Sequence, residues 1–327
     1  MLLPGFDDVY LGNWTQVEAG TGCTVIVAPQ GATGAVDVAG GAPATRETDL
    51  LRPEETVDQV HAVMLSGGSA FGLAASSGAA EELERRSIGL DLGIARVPIV
   101  TGACLFDLAV GNPQVRPDVH SGQEAVVDAL DHLALTEPLM GNLGAGTGCT
   151  VGKFLGPDCA MKGGLGWATE TAVAVTCTAV VAVNAVGSVF DPATGNPIAG
   201  ARVASDSEVI ADKPLDLLAK MASMPLDVLS ADAPRTNTTI SCVVTDARLT
   251  KAQATKVAQM ASDGYAHAIV PTHTTNDGDS VFVLATGKVD CPVDVVGVLA
   301  QKALAQAIAE GCAAAHDAFG FPGAAGR

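Results

Sequence analysis

An α/β fold with helices outside a pair of sheets is what this sequence predicts, and three observations carry it. Short β-branched runs alternate with Ala-rich stretches of helical period along the chain. Only 4% of the residues are aromatic while Gly and Ala abound, a composition that lets layers of sheet and helix approach closely. The apolar share of 48% over 327 residues is enough to bury a sizeable core.

Taken in order, "CTVIVAP" (23–29) and "GAVDVAG" (34–40) read as neighbouring strands joined hairpin-fashion through the Gly-rich "QGATG". A strand then runs up to Leu65, turns at Gly67-Gly68, and gives way to a helix from about Ser69 to Arg86. The middle is less regular: 111–122 is turn-rich, and "GNLGAGTGCTVGKFLGPDCAMKGGLG" (141–166) is a long Gly-rich loop region of the kind that tends to carry function. Residues 171–191 supply two apolar strands, with Asn184 a polar amide in apolar surroundings that needs partners. Residues 191–235, punctuated by Pro and Asp, read as a surface excursion and exposed linker. "TISCVVTDA" (239–247) is a strand, after which Thr250 caps a helix with Val257, Met260, Ala261 and Gly264 on its apolar face. "SVFVLATG" (280–287) is a further strand, and 293–319 is a closing helix with Asp294 as its expected cap.

Charge restricts the partners. A net charge of −18 repels phosphate backbones and anionic membrane surfaces, so no nucleic acid and no membrane is expected. The start lacks a basic region followed by an apolar stretch, and no uninterrupted apolar run reaches spanning length, which points to a cytoplasmic, soluble protein. Eight cysteines are scattered without a CxxC pair and read as reduced, buried thiols.

Two phosphate signals fail on spacing. Gly152-Lys153 has Thr147 where a P-loop needs its first Gly, and Phe154 where magnesium needs Ser or Thr. "GNLGAGTG" has its glycines in the wrong register for a dinucleotide site. The six histidines form no metal-binding grouping, and no cofactor is expected.

"RTNTTISCVV" is the segment that raises a chemical question. Asn237-Thr238-Thr239 fits the N-glycosylation pattern, idle without a secretory signal, and on its own is most simply a strand start. The alternative is a self-cleavage site. The Thr238 hydroxyl would attack the preceding carbonyl, and the new α-amine, with a pKa near neutrality, would then serve as the base of a threonine nucleophile. Such an amine needs acceptors around it. Asp277 and Asp279 flank a Gly turn just before a strand, although Asn-Asp-Gly-Asp taken alone reads as a solvated β-turn rather than a site.

At these residues the chain resembles the autoproteolytic L-aminopeptidase/D-esterase and β-aminopeptidase family, particularly its nylon-oligomer hydrolase branch. The likeness is carried by "GAVDVAGGAPATRETDLL" (34–51), "LSGGSAFGLAAS" (65–76), "VPIVTGACLFDL" (97–108), "NTTISCVVTDARL" (237–249) and "HTTNDGDSVFVLAT" (273–286). It implies a four-layer αββα sandwich, one domain over 1–327 in which 1–237 becomes the α subunit and 238–327 the β subunit. It also implies a homo-oligomer, tetrameric or larger.

The resemblance further implies roles for single residues. Thr238 matches the nucleophile exposed by cleavage after Asn237, and Asp277 and Asp279 the acidic pair around it. Lys153 matches a lysine near the nucleophile, and Asn184 an asparagine donating to the oxyanion; taken alone these read as a loop lysine and a satisfied core amide. Phe106 stands at a substrate-binding position where some relatives carry Tyr, so a hydroxyl is missing there. The implied substrate is a small amide: a short peptide, a β-amino acid peptide or a 6-aminohexanoate oligomer. An acyltransferase of the ornithine acetyltransferase type and a non-enzymatic binding protein of the same fold are the rival readings.

Overall fold

Period-two alternation along the strands sorts their side chains into three separate cores. The computed structural model describes residues 1–132, 139–211, 219, 222–223 and 237–327. Nine strands form the main sheet, in the order β10 (Leu165–Ala172), β11 (Val175–Ala182), β14 (Ile240–Ala247), β16 (Ser280–Val289), β2 (Thr21–Val38), β4 (Gln59–Ser66), β7 (Val100–Cys104), β3 (Thr45–Arg46), with β1 (Tyr10–Gln16) also on β2. The remaining strands are short. β5 (Leu90–Asp91) pairs β6 (Arg96–Val97), β8 (Thr150–Val151) pairs β9 (Met161–Lys162), and β12 (Ser188–Phe190) pairs both β13 (Pro197–Ala199) and β15 (Ile269–Val270).

Ile26, Val63, Leu65, Val180, Cys242, Val244, Phe282 and Leu284 share one buried cluster, so the two halves of the sheet face each other across it. On the outer face of β11, β14 and β16, Val181, Val243, Val281 and Val283 pack with α3 (Lys251–Ala268) and α4 (Val293–Ala313). On the outer face of the other half, Cys23, Val25, Val27, Ala62 and Met64 pack with α1 (Ala74–Arg85) and α2 (Val119–Asp131). Three cores between four layers make an αββα sandwich.

Several expectations need correcting. The hairpin expected through "QGATG" is instead one 18-residue strand, β2. The Gly-rich stretch shifts its register against β4 between Val27 and Ala32, with Gly31 at φ +78°, so the glycines make a bulge rather than a reversal. The helix expected from Ser69 begins as a 3-10 segment, and its α-helical part starts at Ala74. Helix α2 was hidden in the turn-rich reading of 111–122; Asp118 and Ser121 form a reciprocal cap there. Thr250 does cap α3, accepting from Gln253 N, whereas α4 begins after Pro292 with no side-chain cap and Asp294 lies inside it. Of the expected excursion and linker over 191–235, residues 212–218, 220–221 and 224–235 fall outside the described residues, as does Thr236. Among the described residues, no helix is long and apolar enough to cross a membrane. All eight cysteines are free thiols, six of them buried.

Candidate active site

Four strand ends meet at one edge of the central sheet. β14 and β16 are parallel with Ile240 beside Ser280, so the residues just before each strand, Thr238-Thr239 and Gly278-Asp279, lie side by side. β11 runs antiparallel to β14 with Ala182 opposite Ile240, and its continuation places the Asn184 carbonyl where it accepts the Thr238 N–H at 2.9 Å. β2 ends against β16 at Val38, and the following loop rests on the acidic turn: Ala39 and Gly40 N–H groups donate to the Asp279 carbonyl and Ala42 N–H to that of Asp277. A side chain at Gly40 would run into the Asp277 carbonyl and Asp279 N. A Cβ on Gly278 would sit 2.8 Å from Thr238 Oγ1, so the turn approaches the threonine closely only because that residue is glycine.

Thr238 is 5% exposed, and its hydroxyl hydrogen-bonds the carbonyl of Asn237, the group immediately before it. Asp277 and Asp279 are 1% and 2% exposed, so the Asn-Asp-Gly-Asp segment is no solvated turn. Asp279 Oδ1 accepts from Thr239 N at 2.7 Å, and its Oδ2 is held by Thr272 Oγ1 at 3.0 Å and by the His273 backbone N–H and ring Nδ1 at 3.1 and 2.9 Å. Asp277 Oδ2 accepts from Thr274 N at 2.7 Å, while its buried Oδ1 has no partner among the described residues. Burial first, and the Asp279 charge second, push the Asp277 carboxyl up to about 6.

Lys153 follows β8 in a short 3-10 turn fixed by Gly152 N to Gly187 O and Lys153 N to Val186 O, both 2.9 Å. Its Nζ donates to Asn184 Oδ1 at 2.8 Å and Asn184 O at 3.1 Å. Burial pushes this ammonium down to about 7, opposed by the charges of Cys149, Asp277 and Asp279. Asn184, fully buried, accepts from Thr150 N at 3.0 Å and gives an Nδ2 hydrogen to the Phe106 carbonyl at 2.9 Å. Phe106 thus touches the site through its backbone, independent of what its ring carries.

The sequence-derived residues Thr238, Asn184 and Lys153 form one hydrogen-bonded chain, with Phe106 attached through Asn184. Asp279 reaches it through Thr239, and Asp277 through the packing of Gly278 on Thr238. Sequence reasoning missed His273, Thr272 and Tyr265. The last is buried in α3, with its hydroxyl 3.0 Å from Thr239 O and 3.1 Å from Ser280 O, tying the starts of both strands together. Nothing in the local pattern of α3 marks Tyr265 beyond an apolar position, and His273 stands in the stretch 273–286, whose side-chain directions a sequence does not give. Among the described residues, no group of three or more His, Cys, Asp or Glu is gathered as a metal site requires.

Comparison with known proteins places the chain among relatives. The model of Peptidase family S58 matches residues 7–324. The chain is 39% identical over 319 residues to an uncharacterized aminopeptidase of Mycobacterium tuberculosis, covering 92% of this chain and 88% of the relative. It is 31% identical over 296 residues to a 6-aminohexanoate-oligomer endohydrolase of Paenarthrobacter ureafaciens, covering 89% and 77%. In fold it is similar to the L-aminopeptidase D-Ala-esterase/amidase of Ochrobactrum anthropi, described as a variant of the Ntn hydrolase fold, with a TM-score of 0.67, 18% identity, and 95% and 85% of the two chains covered.

Proposed function

The chain belongs to peptidase family S58, and from that premise we propose that it is a self-cleaving threonine amidohydrolase acting on short amides. The observation that carries this is the buried Thr238 hydroxyl, hydrogen-bonded to the Asn237 carbonyl beside an acidic pair. In maturation the Thr238 oxygen attacks the Asn237 carbonyl carbon and the C–N bond breaks to leave an ester. Water then cleaves the ester, giving an Asn237 carboxylate and a free Thr238 amine.

In turnover that amine, oriented by the acidic loop, takes the proton of the Thr238 hydroxyl as it attacks a substrate amide. The Asn184 side-chain amide and Lys153 Nζ, which sits 2.8 Å from its Oδ1, are the two donors assigned to the oxyanion. The acyl-enzyme ester is then hydrolysed. Lys153→Met is expected to lower kcat by about 100-fold.

The likeness to the 6-aminohexanoate-oligomer endohydrolase supports linear aliphatic amides as substrates, alongside short α- and β-peptides. The matured chain is proposed to assemble as a homo-oligomer. The test is hydrolysis of 6-aminohexanoate oligomers and aminoacyl anilides by the matured chain and by Thr238→Ala, with and without an amino acid acceptor. Acyl transfer to water that disappears in the variant is expected; transfer only to the acceptor, or hydrolysis that survives the substitution, contradicts the proposal.

A further inference from the structure

The chemistry above makes no use of His273, yet the fold holds this residue at φ +56°, a left-handed conformation uncommon outside glycine. That backbone turn brings its N–H and its ring onto the same oxygen, Asp279 Oδ2, at 3.1 and 2.9 Å. Thr272 Oγ1 joins them at 3.0 Å, and Thr239 N–H binds the other oxygen at 2.7 Å. Four groups able to donate surround one buried carboxyl, and two of them, the Thr239 and His273 backbone N–H groups, can only donate, one to each oxygen. Asp277 is differently placed: one backbone N–H holds its Oδ2, and its Oδ1 has no partner among the described residues.

We propose that His273 is a positioning residue of the active site: its ring and backbone N–H hold Asp279 Oδ2 so that Oδ1 stays on the Thr239 N–H, next to the Thr238 nucleophile. This rests on the proposed role of the pair around the Thr238 amine. The charged and titratable groups facing the ring are Asp279 and Asp277 from its own loop and Tyr265 from α3, which meets it edge-on at 5.2 Å. The Ser262 backbone hydrogen-bonds it from α3, and Lys153 acts on both carboxylates from across the site. Burial works against the imidazolium, but the hydrogen bond and charge of Asp279 outweigh it and raise His273 above its ordinary value.

Asn tolerates the left-handed backbone and keeps an amide donor without charge, whereas Ala removes donor and charge together. His273→Asn is therefore expected to fold and self-cleave, with the acid limb of its kcat profile moved up by about one pH unit because a cation no longer favours the ionised pair. KM is expected to stay within about twofold, since the residue does not touch substrate. His273→Ala is expected, in addition, to slow self-cleavage at least about tenfold. Histidine-labelled wild-type protein, followed by NMR, should keep the His273 imidazole protonated above 6.5, and Asp279→Asn should bring it down. Unchanged acid limbs in both variants, or an imidazole that titrates no higher in wild type than in Asp279→Asn, overturn the inference. Failure of the wild type to cleave itself or to hydrolyse amides would instead remove the proposed function, a result the imidazole titration separates from loss of the His273–Asp279 pairing.

Discussion

Asp277 is a buried carboxyl that the fold prefers neutral, and this has a measurable cost at high pH. Between its ordinary 3.8 and about 6, the folded chain keeps a proton on Asp277 that the unfolded chain has lost. Stability attributable to this group therefore falls as pH rises through that window. Asp277→Asn keeps an oxygen for the Thr274 N–H while removing the charge. It is expected to be more resistant to urea than wild type at pH 8 and close to it at pH 4, with hydrolysis reduced at both; equal midpoints at pH 8 would contradict the burial argument. At this scale the sequence was informative about identity and silent about surroundings. Thr238, Asp277 and Asp279 stand out in their local stretches and Asn184 and Lys153 only through the family likeness, and the five do converge. That Asn184 contributes its carbonyl as well as its amide, and that His273 grips Asp279, depends on where strand ends stop and how a left-handed residue turns, neither of which a residue type encodes.

Among the elements, the site is a product of register. Parallel pairing of β14 with β16 sets Thr238-Thr239 beside Gly278-Asp279, and only a glycine at 278 lets the two segments touch. Gly278→Ala is expected to leave the secondary structure intact and to slow self-cleavage, because the added methyl displaces Thr238 Oγ1; time courses on denaturing gels check it. The cap of α3 lies away from these strand ends. Thr250→Ala is expected to cost about 1 kcal/mol in chemical denaturation while leaving the rate of hydrolysis unchanged. Element type was legible wherever local chemistry and periodicity agreed, as in β14, β16 and α3. It failed where they conflicted: Pro and Gly before Asp118 masked the cap that starts α2, and glycines in β2 signalled a turn where pairing with β4 on either side of a bulge carries the strand on.

The molecule as a whole is threaded so that a cut before Thr238 separates no layer from another. β14 and β16 follow the cut, and they are flanked by β11 and β2, which precede it. Helices α3 and α4 also follow it, and they pack on strands that precede it, α4 on β10 and β11 and α3 on β2. The two products are accordingly expected to co-elute in native size-exclusion chromatography and to part only in denaturant; separation under native conditions would contradict the interleaved topology. The layered α/β architecture was legible from composition and alternation, and its αββα form from family likeness. The division of one sheet into two facing halves through an 18-residue strand was not, because it depends on pairings between residues far apart in sequence.

The central claim is that Thr238 cleaves the bond that precedes it, and the mass of the denatured protein tests it most directly. Residues 238–327 make up about 9 kDa and residues 1–237 about 24 kDa of the 32.8 kDa chain. The expected result is those two masses in the wild type and a single 32.8 kDa species in Thr238→Ala. A wild-type chain that stays whole after prolonged incubation at neutral pH, or a Thr238→Ala chain that is still cut at the same bond, would contradict it.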